Sequence, residues 1–308
     1  MKYIRNTTDF YIEENSVISI GKFDGIHRGH EKLLEYFAEK KAEGLCGVIF
    51  TFDIPPRKNV QHVEAKVLTT NEEKMHIFEQ LGVDYLVECP FTPEIMCMEA
   101  EDFIDKIVRQ LHVKCIAVGE DFHFGHNRAG DYRLLEKCAK QYGYEVIVVK
   151  KIKEEERDIS STFVREEIAA GNIERANRLL GYRYFVTGRV AHGNQIGRTI
   201  GIPTINQLPP GEKLLPPNGV YVTEVYISGH KYRGITNVGR KPTIEGKNPV
   251  GVETHLLDFA GDVYDKVVTV EFISRVREER HFASIEELKE QMQNDIAYRR
   301  AYFEKNAE

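Results

Sequence analysis

Residues 21–30 bring three glycines, an aspartate and two histidines together in the segment Gly-Lys-Phe-Asp-Gly-Ile-His-Arg-Gly-His. Glycine lets the backbone approach a ligand closely, and the first turn of a helix presents free N–H groups to an anion. His27 and His30 are three residues apart, so on a first helical turn they face one side and can stabilise charge on a transferring phosphate. The alternative is a glycine-rich turn with two solvated histidines. The candidate nucleotide-binding residues of this loop are Gly21, Phe23, Asp24, Gly25 and Gly29.

Two later segments of the first half also suit a nucleotide site. Residues 118–125 follow an expected strand, where open α/β sheets bind ligands, and hold Asp121, Phe122 and Phe124. Residues 159–165 place Ser161 and Thr162 at a helix N-terminus with Arg165 one turn later, which suits phosphate. The alternatives are a turn with buried aromatic rings for the first segment and an ordinary helix cap at Thr162 for the second.

A segment of the second half, residues 197–206, places a hydroxyl and an amide two residues apart, at Thr204 and Asn206. In an extended chain both side chains point to the same side, so both can reach one cation, and Mg²⁺ prefers such oxygen ligands. A structural Pro-Thr turn is the alternative. Gly197, Arg198, Gly201 and Pro203 belong to the same candidate phosphate-binding segment.

Glu253 and His255 alternate along an expected strand, so their side chains point the same way. A carboxylate in such a position can act as a general base, although a single Glu on a strand is usually only solvent-facing. Arg277 is a candidate ligand contact or, equally simply, one half of a surface ion pair.

These residues need elements that hold them in place, and the first half predicts an α/β domain with a mostly parallel sheet. Strands are expected at residues 17–20, 46–52, 85–88, 115–118 and 145–149. Helices are expected at residues 30–43, after the capping pattern of residues 70–73, and at residues 162–170 and 173–180, with Gly181 ending the last one.

From residue 184 the pattern changes to period-two strands punctuated by Gly and Pro, at residues 184–190, 219–227, 231–237, 250–259 and 266–273. This pattern predicts a small antiparallel β-barrel. A last amphipathic helix starts at a capping box, residues 284–287, and should pack on the barrel through Ile285, Leu288, Met292 and Ile296. We expect two domains, residues 1–182 and 183–308.

Charge and composition restrict the partners of the 308-residue chain. Residues 1–182 hold 25 Lys and Arg against 32 Asp and Glu, and residues 183–308 hold 17 against 16. Neither part has the strongly basic surface that nucleic-acid binding usually needs, so an anionic ligand must be held by a local site.

The chain also lacks the sequence features of an exported or membrane protein. No apolar run approaches the roughly 18 residues that cross a bilayer, and residues 1–10 carry charges where a signal peptide has its apolar core. The five cysteines include no C-x-x-C pair, which predicts reduced thiols. We therefore expect a cytoplasmic protein without nucleic-acid or membrane partners.

Taken in order, these motifs resemble those of bacterial bifunctional riboflavin kinase/FAD synthetases. Residues 21–30, 119–125 and 159–165 resemble the nucleotidyltransferase motifs of that family, within the wider H-x-G-H superfamily. Residues 197–206, 215–221, 237–243 and 253–259, and Arg277 with Phe282, resemble its kinase motifs. The resemblance covers nearly the whole chain. It implies a Rossmann-like nucleotidyltransferase domain followed by a riboflavin kinase-like barrel.

The resemblance also implies two reactions that use ATP and Mg²⁺, with flavins as substrates and products. Riboflavin would be phosphorylated to FMN in the barrel, with Glu253 as the base and Thr204 and Asn206 as metal ligands. FMN would then be adenylylated to FAD with release of pyrophosphate, and His27, His30 and Arg165 would stabilise the phosphates. Asp121, Phe122, Phe124 and Arg277 would contact the flavin.

The chain departs from the family pattern at Ile205, where Ala is usual, at Gln207, where an apolar residue is common, and at Asp265, where Gly often follows the Tyr. Two alternatives therefore stay open. One is an FAD synthetase whose barrel has lost kinase activity, and the other is a flavin or nucleotide sensor that binds without turnover. Because Thr204, Asn206 and Glu253 are all present, we predict an active kinase.

Overall fold

The computed structural model describes residues 1–53, 66–192, 196–240 and 250–305. The chain separates into two compact units, Met1–Ser161 and Thr162–Glu308. Three residues of the motif at positions 237–243, namely Lys241, Pro242 and Thr243, lie outside the described part.

The first unit is built on a six-stranded sheet with additional short strands. The strands of this unit are β1 (Lys2–Arg5), β2 (Ser16–Ile20), β3 (Cys46–Asp53), β4 (Tyr85–Pro90), β5 (Val113–Gly119), β6 (His123–Phe124), β7 (Gly130–Asp131), β8 (Glu145–Val149), β9 (Lys153–Glu154) and β10 (Arg157–Asp158). The large sheet has the order β1-β4-β3-β2-β5-β8, and every neighbouring pair in it is parallel.

Helices connect these strands. They are α1 (Arg28–Ala42), α2 (Asn71–Gln80), α3 (Pro93–Met96), α4 (Ala100–Gln110) and α5 (Tyr132–Tyr142), with a 3₁₀ turn at His126–Arg128. All five residues of β2 are buried, as expected of a central strand whose two faces are both covered. At the start of α2, Thr70 and Glu73 form the predicted capping box, in which each side chain accepts a hydrogen bond from the other residue's backbone N–H.

Two helices, α6 (Ser161–Ala170) and α7 (Ile173–Leu180), precede the barrel. The first residue of α6 belongs to the first unit and the rest of both helices to the second. Gly181 ends α7 in the left-handed region, with φ of 86°, as the sequence predicts. The remaining elements are β11 (Phe185–Ala191), α8 (Ile196–Thr199), β12 (Thr204–Gln207), β13 (Gly219–Ile227), β14 (His230–Arg240), β15 (Val250–Leu256), β16 (Val267–Glu278) and α9 (Ile285–Lys305).

Six of these strands close into a barrel of order β11-β12-β15-β14-β13-β16, with antiparallel pairing throughout. The barrel and the parallel sheet confirm the predicted fold class. The short strand β12 was expected only as an extended segment. Its register matters most for function, because Thr204 lies opposite His255 and Asn206 lies opposite Glu253.

Helix α9 corrects one expectation. Ile285, assigned to the packing face, is 56% exposed, whereas Asp295 and Arg299 are the most deeply buried of the helix side chains at positions 285–302. Arg299 donates hydrogen bonds from Nε to the carbonyl of Gly234 and from Nη2 to that of Thr223, and burial lowers its pKa to about 9. The other residues of the predicted face, Leu288, Met292 and Ile296, are partly buried, and these polar contacts add to the apolar packing of the helix.

Arg277 of β16 supplies the second anchor. Its guanidinium binds Asp295 with Nε–Oδ1 and Nη2–Oδ2 distances of 3.0 and 2.7 Å, and Gln291 donates to the same carboxylate. The Asp295 side chain is only 5% exposed, so this bidentate pair neutralises a charge that is almost fully buried.

Two findings concern the whole described part of the chain. None of its helices combines the length and the apolar character that crossing a membrane requires. All five cysteines are free thiols.

Replacing Arg277 by Met should lower the free energy of unfolding by roughly 2–4 kcal/mol, because Asp295 is left charged and buried without its main partner. Adding Asp295→Asn should recover at least half of that loss. Urea denaturation of the single and double variants measures both effects. Equal stability of the Arg277→Met variant and the unmodified protein would show that the pair does not anchor α9.

Candidate functional site

The loop of residues 21–27 lies at the point where the parallel sheet reverses its direction of winding. From β2 the chain proceeds to β3 and β4 on one side, and β5 and β8 lie on the other. In open α/β sheets, ligands bind outside the carboxyl ends of the strands at this reversal. Both the glycine-rich loop after β2 and the segment that begins at Gly119 after β5 are located there.

The backbone of the loop is unusual. Phe23, Gly25 and Ile26 have φ values of 48°, 84° and 26°, and a Cβ atom at Gly25 would lie 2.6 Å from Leu68 Cδ1. Glycine at position 25 is therefore required by both conformation and space. The Phe23 side chain is buried against Phe78, so its contribution at the loop surface is limited to its backbone.

Asp24 holds the loop in this conformation. Its Oδ1 accepts hydrogen bonds from the backbone N–H groups of Leu68 and Thr69, at 2.8 and 3.2 Å. The Ser161 hydroxyl donates to the carbonyl of Asp24 at 2.7 Å. The loop is thus tied both to the segment that leads into α2 and to the residue that begins α6.

The two histidines lie together at the start of α1. Their rings stack with centroids 3.9 Å apart, and His27 is the residue that precedes the first helical turn. Both Nδ1 atoms are buried and have no hydrogen-bond partner among the described residues. A buried polar atom without a partner is rare, and two of them beside a helix N-terminus suit an anionic ligand.

Burial determines the protonation of this pair. Desolvation lowers the pKa of His27 to about 4, and the nearby carboxylates of Asp121 and Asp24 offset only part of that shift. Burial and the neighbouring His27 together hold the pKa of His30 well below its ordinary value. Both imidazoles are therefore neutral at pH 7. A bound anion would raise both pKa values and draw protons onto the rings.

The second nucleotidyltransferase segment divides into two parts. Asp121 is exposed and pairs with Lys151 at 3.1 Å, and Phe122 is half-buried. Phe124 is buried in the core, where its ring stacks on Phe122 with centroids 5.3 Å apart and lies beside Phe103. The alternative of a turn with buried aromatics therefore describes Phe124, whereas Asp121 and Phe122 lie nearer the surface.

The third segment begins where the first unit ends. Ser161 contacts the glycine-rich loop, as described above. Thr162 and Arg165 belong to the first two turns of α6, in the second unit.

Lys74, near the start of α2, was missed by the sequence reasoning. Burial lowers the pKa of its ammonium group, while the carboxylates of Asp24, Glu88 and Asp53 act in the opposite direction. Asp53 and Glu88 lie near the carboxyl ends of β3 and β4, the same edge of the sheet that carries the glycine-rich loop. The sequence signal that could have indicated Lys74 is the helix start at residues 70–73. Lys74 follows it directly and so lies near the sheet edge that carries the glycine-rich loop.

The barrel assembles its candidate site across the β12–β15 pair. The Thr204 hydroxyl donates to Glu253 Oε1 at 2.6 Å, and Asn206, opposite Glu253, is buried. A hydroxyl, an amide and a carboxylate thus meet on one face of two strands. These are oxygen donors of the type that Mg²⁺ binds, so the residues present fit that ion.

The segment before β12 is a tight turn that includes α8. A Cβ atom at Gly197 would lie 2.3 Å from the carbonyl oxygen of Ile202, and Gly201 has φ of 78°. The next carbonyl, that of Pro203, lies 2.8 Å from His255 Nδ1. A cavity of about 300 Å³ adjoins this turn, and its lining includes Arg198, Pro203, Thr204, Ile205 and Tyr264.

The three departures from the family pattern have different consequences. Gln207 is fully buried and donates from Nε2 to the carbonyls of Gly188 and Val268, whereas its Oε1 is buried without a hydrogen-bond partner among the described residues. Asp265 has φ of 61°, a conformation that Gly adopts most easily and Asp tolerates. Only Ile205 places its side chain along the cavity.

Arg277 needs a correction as a candidate flavin contact. Its guanidinium is occupied by the bidentate pair with Asp295 and by the carbonyl of Glu278. Of the two possibilities left open by the sequence, the ion pair is the one that the structure contains. We therefore do not retain Arg277 as a flavin ligand.

The fold and these two groups of side chains define a two-unit enzyme of nucleotide and phosphate chemistry, with one group of candidate residues at the edge of the parallel sheet and one in the barrel. A family model described as FAD synthetase matches residues 10–163, and one described as riboflavin kinase matches residues 180–303. The chain belongs to the bifunctional riboflavin kinase/FMN adenylyltransferase family.

Bacterial relatives align with this chain over nearly its full length. A bifunctional riboflavin kinase/FMN adenylyltransferase of Escherichia coli (strain K12) is 38% identical over 94% of this chain and 94% of its own. The protein of the same name from Pseudomonas fluorescens is 37% identical over 92% of each chain. A crystal structure named as a macrolide-efflux protein from Streptococcus pneumoniae is 30% identical, with a TM-score of 0.84 over 97% of this chain and 98% of that chain.

The depressed histidine pKa makes stability depend on pH. Between pH 6.5 and about 4 the unfolded chain binds a proton at residue 27 that the folded chain excludes, so stability falls as the pH falls. The His27→Gln variant should lack the pH dependence that comes from protonation of residue 27. As the pH falls, its free energy of unfolding should therefore decrease less steeply than that of the unmodified protein, by up to roughly 1.4 kcal/mol per pH unit.

Urea denaturation at a series of pH values between 6.5 and 4.5 measures this difference. The matched control is His76→Gln, which removes an exposed histidine from α2 of the same unit. If both variants follow the unmodified protein with the same slope, His27 is not buried in its neutral form.

Proposed function

We propose that this chain converts riboflavin and ATP to FMN in the barrel, and then converts FMN and ATP to FAD and pyrophosphate in the α/β domain. The observation that carries the proposal is the alignment with proteins named for both activities over 94% of the chain, so that both units are included. We assign the adenylyltransferase to residues 1–182 and the kinase to residues 183–308.

In the adenylyl transfer, a phosphate oxygen of FMN attacks the α-phosphorus of ATP, the bond to the departing oxygen breaks, and pyrophosphate leaves. The buried Nδ1 atoms of His27 and His30 and the nearby N–H groups of α1 support a phosphate site in the loop. We propose that both imidazoles take up protons as the anions bind and so stabilise the charge of the transition state. Gly21, Gly25 and Gly29 keep the loop surface open.

Other residues have supporting roles in this proposal. Asp24 keeps the loop in its strained conformation through its bonds to Leu68 and Thr69, and we assign it to that task and not to a metal. Lys74 adds positive charge near the same edge of the sheet. Ser161, Thr162 and Arg165 take the phosphate-binding role that the family resemblance implies.

For the flavin of this domain we propose contacts with Asp121 and Phe122. Phe122 is half-buried and stacks on Phe124, so Phe124 supports the aromatic surface from below. Stacked rings of this kind suit the planar ring system of a flavin or an adenine.

In the kinase reaction we propose that Glu253 accepts the proton of the riboflavin 5′-hydroxyl as the oxygen attacks the γ-phosphorus of ATP. Thr204 and Asn206 hold the metal, with Mg²⁺ supplying charge neutralisation for the ATP phosphates. Because the Thr204 hydroxyl donates its proton to Glu253, the lone pairs of its oxygen stay available for a cation. The glycines at positions 197 and 201 and Arg198 and Pro203 shape the phosphate-binding turn.

The chemistry also suggests where the enzyme works. Both reactions consume ATP, and all five cysteines are free thiols, as is usual in a reducing compartment. We propose that the protein acts in the cytoplasm on the small molecules riboflavin, FMN and ATP.

One observation favours a second candidate function. Ile205 lines the cavity beside Thr204, where most family members have the smaller Ala. If its larger side chain blocks the kinase substrate, the protein is an FAD synthetase with an inactive barrel. Asp265 does not contribute to this possibility, since it affects only the backbone of a turn.

The two candidates predict different products from the unmodified enzyme. With riboflavin, ATP and Mg²⁺, FMN should appear first and FAD should follow, as measured by chromatography of timed samples. With FMN, ATP and Mg²⁺ but no riboflavin, FAD should form at once. FAD from FMN without any FMN from riboflavin would identify the kinase-inactive alternative, and binding without either product would identify a sensor.

Substitutions should separate the two activities within one chain. Glu253→Gln should lower FMN formation by about 10² to 10⁴-fold and leave the conversion of FMN to FAD unchanged. Replacing both His27 and His30 by Ala should lower FAD formation by at least about 10²-fold and leave the kinase unchanged.

Each variant is the control for the other, because each should retain one activity at the level of the unmodified protein. A Glu253→Gln enzyme with normal kinase activity would remove Glu253 as the base. Loss of both activities in either variant would mean that the two sites are not independent.

A further inference from the structure

His255 takes no part in the chemistry proposed above, although it belongs to the same strand face as Glu253. In the register of β12 and β15 it lies directly opposite Thr204. Its Nδ1 atom lies 2.8 Å from the carbonyl oxygen of Pro203. A carbonyl oxygen can only accept, so Nδ1 carries the hydrogen and donates it.

The Thr204 end of β12 has little other support. On the β11 side, the pairing seen among the described residues covers Gln207 and Asn206, whereas the pairing of Thr204 and Ile205 within that part of the chain is with β15. The residue before Thr204 is a proline, which has no N–H group to extend the ladder. The cavity of about 300 Å³ borders the same end of the strand, so packing does not confine Thr204 from that direction.

The imidazole therefore extends the pairing of β12 and β15 by one residue beyond the end of the ladder. Two side chains of β15 hold the turn at adjacent positions, His255 at the carbonyl of Pro203 and Glu253 at the hydroxyl of Thr204. Removing the first contact takes away the side-chain hydrogen bond to the carbonyl of the peptide that joins Pro203 to Thr204. That peptide sets the direction of the Thr204 side chain.

We propose that His255 is a positioning residue of the kinase site, which fixes Thr204 in the orientation needed to hold the cation next to Glu253. This inference rests on the proposed kinase function. It assigns the Nδ1–H group of His255 to the Pro203 carbonyl and gives the imidazole no contact with substrate.

The two amide side chains closest in shape to histidine test this assignment. Asn places an N–H donor where Nδ1 lies, so His255→Asn should retain the contact with Pro203. Gln places its donor further out, where Nε2 lies, so His255→Gln should lose that contact, as should His255→Leu. The control His230→Gln replaces an exposed histidine at the start of β14 in the same barrel.

We expect His255→Gln and His255→Leu to bind Mg²⁺–ADP about five- to tenfold more weakly in titration calorimetry, the effect of one lost hydrogen bond. Their kinase kcat should fall, while the KM for riboflavin changes less than twofold. His255→Asn and His230→Gln should match the unmodified protein in both measurements. The conversion of FMN to FAD should be unchanged in all four variants, since none of the residues that we assign to that reaction contacts β12 or His255 in the hydrogen bonds and strand pairs described above.

Two results would overturn the proposal. One is equal behaviour of the Asn and Gln variants, and the other is an equal loss of thermal stability in the ligand-free Asn, Gln and Leu variants, which would indicate a purely structural role. If the unmodified protein has no kinase activity, the proposed kinase function is rejected, and the positioning role of His255 must be tested without an activity assay. The crystal structure of ligand-free His255→Leu then still decides the inference, because a Thr204–Glu253 bond kept at its original length would contradict it.

Discussion

The antiparallel register of β12 and β15 places Thr204 opposite His255 and Asn206 opposite Glu253, and the barrel site depends on this alignment. A shift by one residue would turn all four side chains to the other face. The register is supported on both sides, since β15 also pairs with β14 and β12 also pairs with β11. Closure of the barrel thus keeps a hydroxyl, an amide and a carboxylate on one face of the β12–β15 pair, where we propose that they hold a cation.

In the α/β unit, loops at one edge of the sheet, and not the register of two strands, bring the candidate residues together. Its sheet is entirely parallel, so the loops after neighbouring strands emerge at one edge, and the reversal between β2 and β5 leaves room for a ligand there. The unit maintains a strained loop and two buried neutral imidazoles at that point, both of which cost stability. Asp24 offsets part of the strain through backbone hydrogen bonds. We interpret this arrangement as preparation for an anion.

Much of the fold could be predicted from the sequence, because hydrophobic periodicity and caps report on local structure. Five of the six strands of the parallel sheet, the capping box at Thr70 and the end of α7 at Gly181 all agree with the structure. Strand β1 escaped prediction because none of its residues is fully buried, and β12 because four residues are too few for a clear pattern.

Tertiary contacts decided the remaining residues. The sequence identified Phe124 and Arg277 by their motifs, but whether a ring faces a ligand or the core, and whether an arginine meets a carboxylate 18 residues away, depends on packing. Lys74 was missed for the same reason, since its charged neighbours come from three different parts of the chain.

The most direct test of the central claim follows the phosphates. The enzyme is supplied with riboflavin and with ATP labelled at either the γ- or the α-phosphorus, and the FAD formed is isolated. We predict that γ-label enters FMN and is retained in FAD, and that α-label enters FAD but not FMN. Two observations together would contradict the account of two successive reactions in one chain. They are that no γ-label is transferred to riboflavin, and that α-labelled FAD forms only when unlabelled FMN is supplied.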